Sequence, residues 1–137
     1  MIAVRAQASA ELLILLAASA AFFMVIAPAA GEAAEAARAG LAAKQQEMAL
    51  EKMSALAAEA AAMRGSVLEA RIELAADSEI EADGKEIKLK FRAAGREKEL
   101  MREAYGMEIA RKKLARGAWV ARAAGGRMEF AEARERN

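Results

Sequence analysis

Charged and apolar positions follow three different rhythms along this chain, and each rhythm predicts a different element. From Leu12 to Gly31 there is no charge at all, with Leu12-Leu13-Ile14-Leu15-Leu16 and Phe22-Phe23-Met24-Val25-Ile26 supplying the bulk. As a helix this stretch spans roughly 30 Å, the thickness of a bilayer's hydrocarbon core. The rest of the chain has too little apolar bulk to enclose such a helix, so a membrane-inserted segment is expected.

From Glu32 to Arg64 the chain is alanine-rich and carries charges of both signs. Leu41, Met48, Leu56 and Met63 are spaced seven, eight and seven apart, which places them on one narrow stripe of a straight helix, with Leu50 and Met53 off it. Such a stripe packs on the chain's own domain, on neighbouring copies, or on both along different lengths. Pro28 lacks a backbone donor and predicts a kink. One long, bent helix from about Ser9 to Met63 is expected rather than two domains.

Past Gly65 the period drops to two. Leu68, Ala70, Ile72 and Leu74 alternate with Glu69, Arg71 and Glu73, as in a half-buried strand. Ile80 to Phe91 is broken by Asp83-Gly84, a favoured two-residue hairpin turn. Closed there, the hairpin sets Ile80 opposite Ile87, Glu79 opposite Lys88 and Asp77 opposite Lys90, with Glu81 against Glu86 as a mild conflict. A second hairpin spans Ala118 to Ala133 around Gly125-Gly126. It puts Trp119, Ala121, Met128 and Phe130 on one face and pairs Arg122 with Glu129. Residues 96–116 are ambiguous: Leu100, Ala104 or Tyr105, Ile109 and Leu114 suit a helix, whereas Gly95, Gly106 and Gly117 punctuate the stretch as short strands. The fold class is α+β, a long kinked N-terminal transmembrane helix followed by a small antiparallel β-sheet or sandwich domain.

Composition narrows the functions available. Alanine accounts for 40 of the 137 residues and aromatics for only one Trp, one Tyr and four Phe, so the compact core must be small. Basic and acidic residues number 21 and 20, which gives no electrostatic case for a nucleic-acid partner. Cysteine and histidine are absent, which excludes disulfides, ordinary zinc sites and Cys or His nucleophiles. Ser54 and Ser66 have no histidine to activate them, and no glycine-rich phosphate loop is present. No catalytic residues, cofactor or metal are expected. Asp77, Glu79, Glu81 and Asp83 would share one strand face, but they lack the glycine and distal glutamate of a calcium loop. Lys85, Lys88, Lys90, Lys112 and Lys113 could form a basic strip, although a solvated face is the favoured reading.

The most informative stretch is Arg5-Ala6-Gln7-Ala8-Ser9-Ala10-Glu11, directly before the apolar run. A secretory signal carries its cleavage site after the apolar segment. Here the polar cluster comes first, and a carboxylate sits at the apolar edge, where it needs a partner or a route to the interface. Singly, Ser9 could cap the helix, Glu11 could suit its dipole and Gln7 could be an interfacial polar residue. Together they resemble the class III signal peptide of archaeal type IV pilin-like proteins, whose motif Gln-x-Ser-x-Glu-x-x-x-Leu is matched by Gln7, Ser9, Glu11 and Leu15.

That resemblance implies cleavage between Ala6 and Gln7 by a prepilin peptidase, with residues 1–6 as leader. Residues 7–31 would be the transmembrane and later filament-core segment, 32–64 its amphipathic continuation, and 65–137 a β-rich surface domain in which 96–116 form strands. Glu11 would balance the terminal amine of an adjacent subunit during assembly. The implied partners are other pilin subunits, the peptidase, the membrane and the pilus assembly machinery. Before assembly the N-terminus would be cytoplasmic and the C-terminal domain outside; afterwards the protein would belong to an extracellular filament. The leader departs from the family's pattern in having one cation, Arg5, and alanine at position 6. Two rival readings are an unprocessed single-pass anchor of an envelope or secretion system, and signal-peptidase cleavage near Ala27-Pro28-Ala29, against which Pro28 argues.

Overall fold

The computed structural model describes residues 2–133, with side-chain surroundings for 7–133. It consists of helix α1 (Ile2–Ala62) followed by seven strands: β1 (Leu68–Leu74), β2 (Ser78–Asp83), β3 (Glu86–Ala93), β4 (Arg96–Glu103), β5 (Glu108–Leu114), β6 (Gly117–Ala124) and β7 (Arg127–Glu132). The α+β class expected from the sequence is thus present. Two compact units divide the chain, one ending at Arg38 and the other starting at Ala39.

In the first unit α1 begins well before Ser9, so Ser9 is an interior helical residue and not the N-cap that its residue type allowed. The helix continues through Pro28. Proline there leaves the Met24 carbonyl without its helical donor. Ser19 donates its hydroxyl to the Leu15 carbonyl at 2.8 Å, which satisfies the only side-chain hydroxyl within the uncharged stretch.

In the second unit the closing turns of α1 pack on the sheet. The face they bury is Gln46, Ala49, Leu50, Met53, Leu56 and Ala57, an i, i+3, i+4 progression. This corrects the stripe expected from the sequence. Of Leu41, Met48, Leu56 and Met63 only Leu56 is buried, while Leu50 and Met53, which lay off the stripe, are completely so. Alanine is the reason. Ala49 and Ala57 complete the buried face, yet alanines on every side of the helix leave its periodicity without contrast. The helix ends where Gly65 adopts φ 87° and the Ser66 N–H donates to the Met63 carbonyl at 3.1 Å.

Facing the helix are Ile72 and Leu74 of β1, Ile80 of β2, Ile87, Leu89 and Phe91 of β3, and Met128 and Phe130 of β7, all in one core cluster. The strand order is β1-β6-β7-β5-β2-β3-β4. Consecutive neighbours pair antiparallel except β5 and β7, which run parallel and share one register pair, Glu108 with Arg127. The sheet is therefore mixed, not purely antiparallel as expected. Two antiparallel groups, β1-β6-β7 and β5-β2-β3-β4, meet at this short seam.

Residues 96–116 resolve as β4 and β5 rather than a helix. Tyr105 (φ 51°) and Gly106 (φ 82°) form the turn between them, closed by the Met107 N–H on the Ala104 carbonyl at 2.8 Å. Pairing of all eight β4 residues with β3 outweighs the helical propensity of the Glu-, Lys- and Leu-rich sequence.

The hairpin at Gly125-Gly126 has the expected register, with Arg122 opposite Glu129 and Ala121 opposite Phe130. The first hairpin does not. Its central residues are Gly84-Lys85, so Ile80 faces Leu89, Glu79 faces Lys90 and Glu81 faces Lys88. Gly84 supplies the positive φ, 88°, at the first central position, and the Asp83 carboxylate accepts the N–H groups of Lys85 and Glu86 at 3.0 and 3.1 Å. The slide of two residues keeps every side chain on its expected face and replaces the Glu81–Glu86 conflict with opposite charges.

Candidate functional site

The candidate site is the start of α1 together with the apolar span that follows. At 100° per residue, Gln7, Glu11 and Leu15 lie one above another on one helix face, and Ser9 points to the other side. Gln7 and Glu11 are about 6 Å apart along the axis. Gln7, Ser9, Glu11 and Leu15 are all exposed, as is Pro28. Ala6 is helical, but its side chain and Met1 lie outside the described residues.

From Leu12 to Ile26 every large apolar side chain is exposed, Leu12 at 63%, Phe23 at 67% and Met24 at 77%. Phe22 and Phe23 stack edge to face on each other, with ring centroids 6.4 Å apart, and no other described residue of the unit covers them. A helix that is apolar on all sides and uncovered is built for lipid or for other protein, not for water. This helix is long and apolar enough to cross a membrane.

Glu11 is the charge at the N-terminal edge of this span, four residues after Gln7. Its alternative role at the dipole of α1 is weakened by the position of the helix start, because dipole effects fade within the first turn and α1 begins at Ile2. Cleavage after Ala6 would change this, placing Glu11 one turn from a free amine.

On the folded unit, the acidic row and the lysines noted in the sequence form one alternating charge pattern. Arg111 Nε sits 3.1 Å from Glu79 and 3.0 Å from Glu81, bridging β5 and β2. Its hydrogen bond holds the Glu81 carboxyl below the ordinary carboxylate range. Asp83 is held low as well, by the Glu86 and Lys85 backbone donors of its turn, and Asp77 accepts the Arg116 N–H at 2.8 Å. On the other side Glu79 and Glu81 face Lys90 and Lys88, and Lys90 reaches Glu99 of β4 at 3.5 Å. The columns therefore read positive, negative, positive, negative from β5 to β4. Lys112 leaves the pattern and donates to the Phe130 carbonyl across the β5–β7 seam at 3.0 Å. The five lysines thus do not gather into a basic strip. Among the described residues no cluster of carboxylates is arranged to hold a metal ion.

The same interleaving ties α1 to the sheet edge. Arg102 of β4 reaches Glu47 at 3.1 Å and Glu51 at 3.8 Å, while Lys44 holds Glu47 at 3.0 Å. The Lys44 bond, with Arg102 adding to it, keeps the Glu47 carboxyl below its ordinary range.

No protein-family model, curated protein or solved structure matches this chain.

Proposed function

We propose that this chain is a structural subunit, a major or minor pilin-like protein, of an archaeal type IV pilus-like surface filament. A prepilin peptidase removes residues 1–6, and the subunit then polymerises through its apolar N-terminal helix. The observation that carries this reading is the uncovered, uncharged span from Leu12 to Gly31, set directly behind Gln7, Ser9 and Glu11 in a helix that runs on into a folded head.

A span of this kind is stable in a bilayer before assembly and can exchange lipid for neighbouring subunits afterwards. Cleavage before Gln7 creates an amine one turn from Glu11. In an apolar setting the amine of one subunit and the Glu11 carboxylate of the next hold each other closely, because neither finds good solvation elsewhere. Glu11 thereby sets the register of an incoming subunit, and the sheet coats the outside of the filament.

The role of Glu11 is tested by Glu11→Ala in the native host. Processing should be unchanged and filaments scarce on electron micrographs of whole cells; abundant normal filaments would remove Glu11 from assembly. The rival reading, an unprocessed single-pass anchor of an envelope or secretion system, shares the exposed span but gives Gln7 and Ser9 no role.

A further inference from the structure

The part of α1 that belongs to the folded unit has a second apolar face, opposite the one buried on the sheet. Leu41, Met48, Ala55 and Ala62 follow one another at intervals of seven residues, and all are exposed. Leu41 is 71% and Met48 52% exposed, values unlike those of Leu50 and Met53 one or two turns along on the other face. Two charges flank it at the same spacing: Lys52 lies four residues after Met48, and Glu59 four after Ala55. The other charges on this stretch, Lys44, Glu47 and Glu51, are taken by ion pairs within the chain. Lys52 and Glu59 take part in none among the described residues.

We infer that this stripe docks the same stripe of a second copy of the chain, parallel to it and displaced along the axis by one heptad. The inference rests on the filament-subunit reading, which orients every copy alike in the membrane. Charge fixes the displacement. Two parallel copies in level register set Lys52 against Lys52 and Glu59 against Glu59, which repel. A shift of seven residues, about 10.5 Å of helix, sets Lys52 of one copy beside Glu59 of the next. It also sets Leu41 beside the neighbour's Met48, and Met48 beside its Ala55. The interval of seven keeps apolar residues in contact at each step, as in a coiled-coil seam. Because the displacement repeats in the same sense, the contact is open-ended and adds subunits without closing a dimer.

The absence of cysteine makes thiol cross-linking a clean test. Met48→Cys, Ala55→Cys and the double variant are produced in the native host, oxidised on cells and resolved on non-reducing gels. A ladder of multimers from the double variant, with neither single variant cross-linking, is expected. Dimers from each single variant show level packing and overturn the displacement. Filaments of normal yield without any ladder overturn the stripe as a contact and leave the filament reading intact. A wild-type chain that is neither processed nor assembled overturns both. Charge exchange gives a second readout: Lys52→Glu or Glu59→Lys should each cut filament yield several-fold, and the pair together should restore most of it. Equal yield from all three contradicts the pairing.

Discussion

The side-chain amide of Gln46 donates to the hydroxyl of Ser78 at 2.7 Å, in a position from which solvent is fully excluded at the glutamine. The same amide reaches the Ala76 carbonyl, and its oxygen accepts the Ala75 N–H, each at 3.3 Å. Ser78 in turn donates to Ala76 at 2.8 Å. One buried side chain thus satisfies the backbone of the β1–β2 connection and fastens it to α1. Gln46→Leu keeps the volume but strands the Ala75 N–H and leaves the Ser78 hydroxyl with only its bond to Ala76, and should lower stability by about 1–3 kcal/mol. Urea denaturation of the full chain in detergent, followed by tryptophan fluorescence, measures it; an unchanged midpoint would show that the network contributes nothing net.

Leu50 and Met53 carry the helix side of the core, whereas Leu41 and Met48 do not. Leu50→Ala should therefore cost about 2–5 kcal/mol. Leu41→Ala should leave folding stability almost unchanged in the same assay. Comparable losses at both positions would contradict the assignment of faces.

That contrast also shows how far the sequence could be read. Strand periods and the Gly125-Gly126 turn were legible because alternation and paired glycines are local signals, and the register followed from them. The helix face was not, because residues of the same type, Leu41 and Leu50 or Met48 and Met53, lie on both faces of an alanine background. Only burial tells them apart. The first hairpin slid by two residues because Asp83 acts as acceptor for the turn and not as one of its central residues, a distinction of hydrogen bonding that composition does not carry. Nor is the order of strands local: the pairing of β1 with β6 and the β5–β7 seam depend on contacts distant in sequence. Of the candidate site, Gln7, Ser9, Glu11 and Leu15 were singled out by their resemblance to a known motif and by their place before the apolar run. The heptad flanked by Lys52 and Glu59 emerged only once the buried face was known.

Acid should loosen the head. Asp83, Glu81 and Glu47 all have folded-state carboxyls below the ordinary range, so the unfolded chain takes up protons first as pH falls. Their contribution is complete above the unfolded carboxylate range, near pH 4, and disappears as pH drops through the lower folded values. Asp83 is exposed and Glu47 and Glu81 are about a third exposed, so solvent screens each and each effect is small. Melting temperature in detergent should be flat from about pH 7 to 5 and fall below about pH 4. Asp83→Asn, which keeps an acceptor oxygen but not the charge, should lessen that fall. An equal fall in variant and parent would remove Asp83 from the effect.

Strand β4 is an open edge of the sheet, and its charges are sorted by face. Opposite the inward residues of β3 stand Arg96, Lys98, Leu100 and Arg102, and on the other face lie Glu97, Glu99, Met101 and Glu103. Two β4 strands joined edge to edge therefore oppose like charges in every register that keeps faces aligned. The double variant Lys98→Val, Glu99→Thr should associate through this edge. A shift to larger species by light scattering at neutral pH, absent in the parent, is the expected result; a monodisperse variant would show that β4 is guarded by other means.

The filament reading depends most directly on what happens at the bond between Ala6 and Gln7. The decisive measurement is the intact mass and N-terminal sequence of the protein from membranes or filaments of its native host. A chain that starts at Gln7 and retains the helix from Leu12 to Gly31 is the predicted result. A chain that still starts at Met1 would contradict it, leaving a plain membrane anchor and no amine for Glu11 to meet.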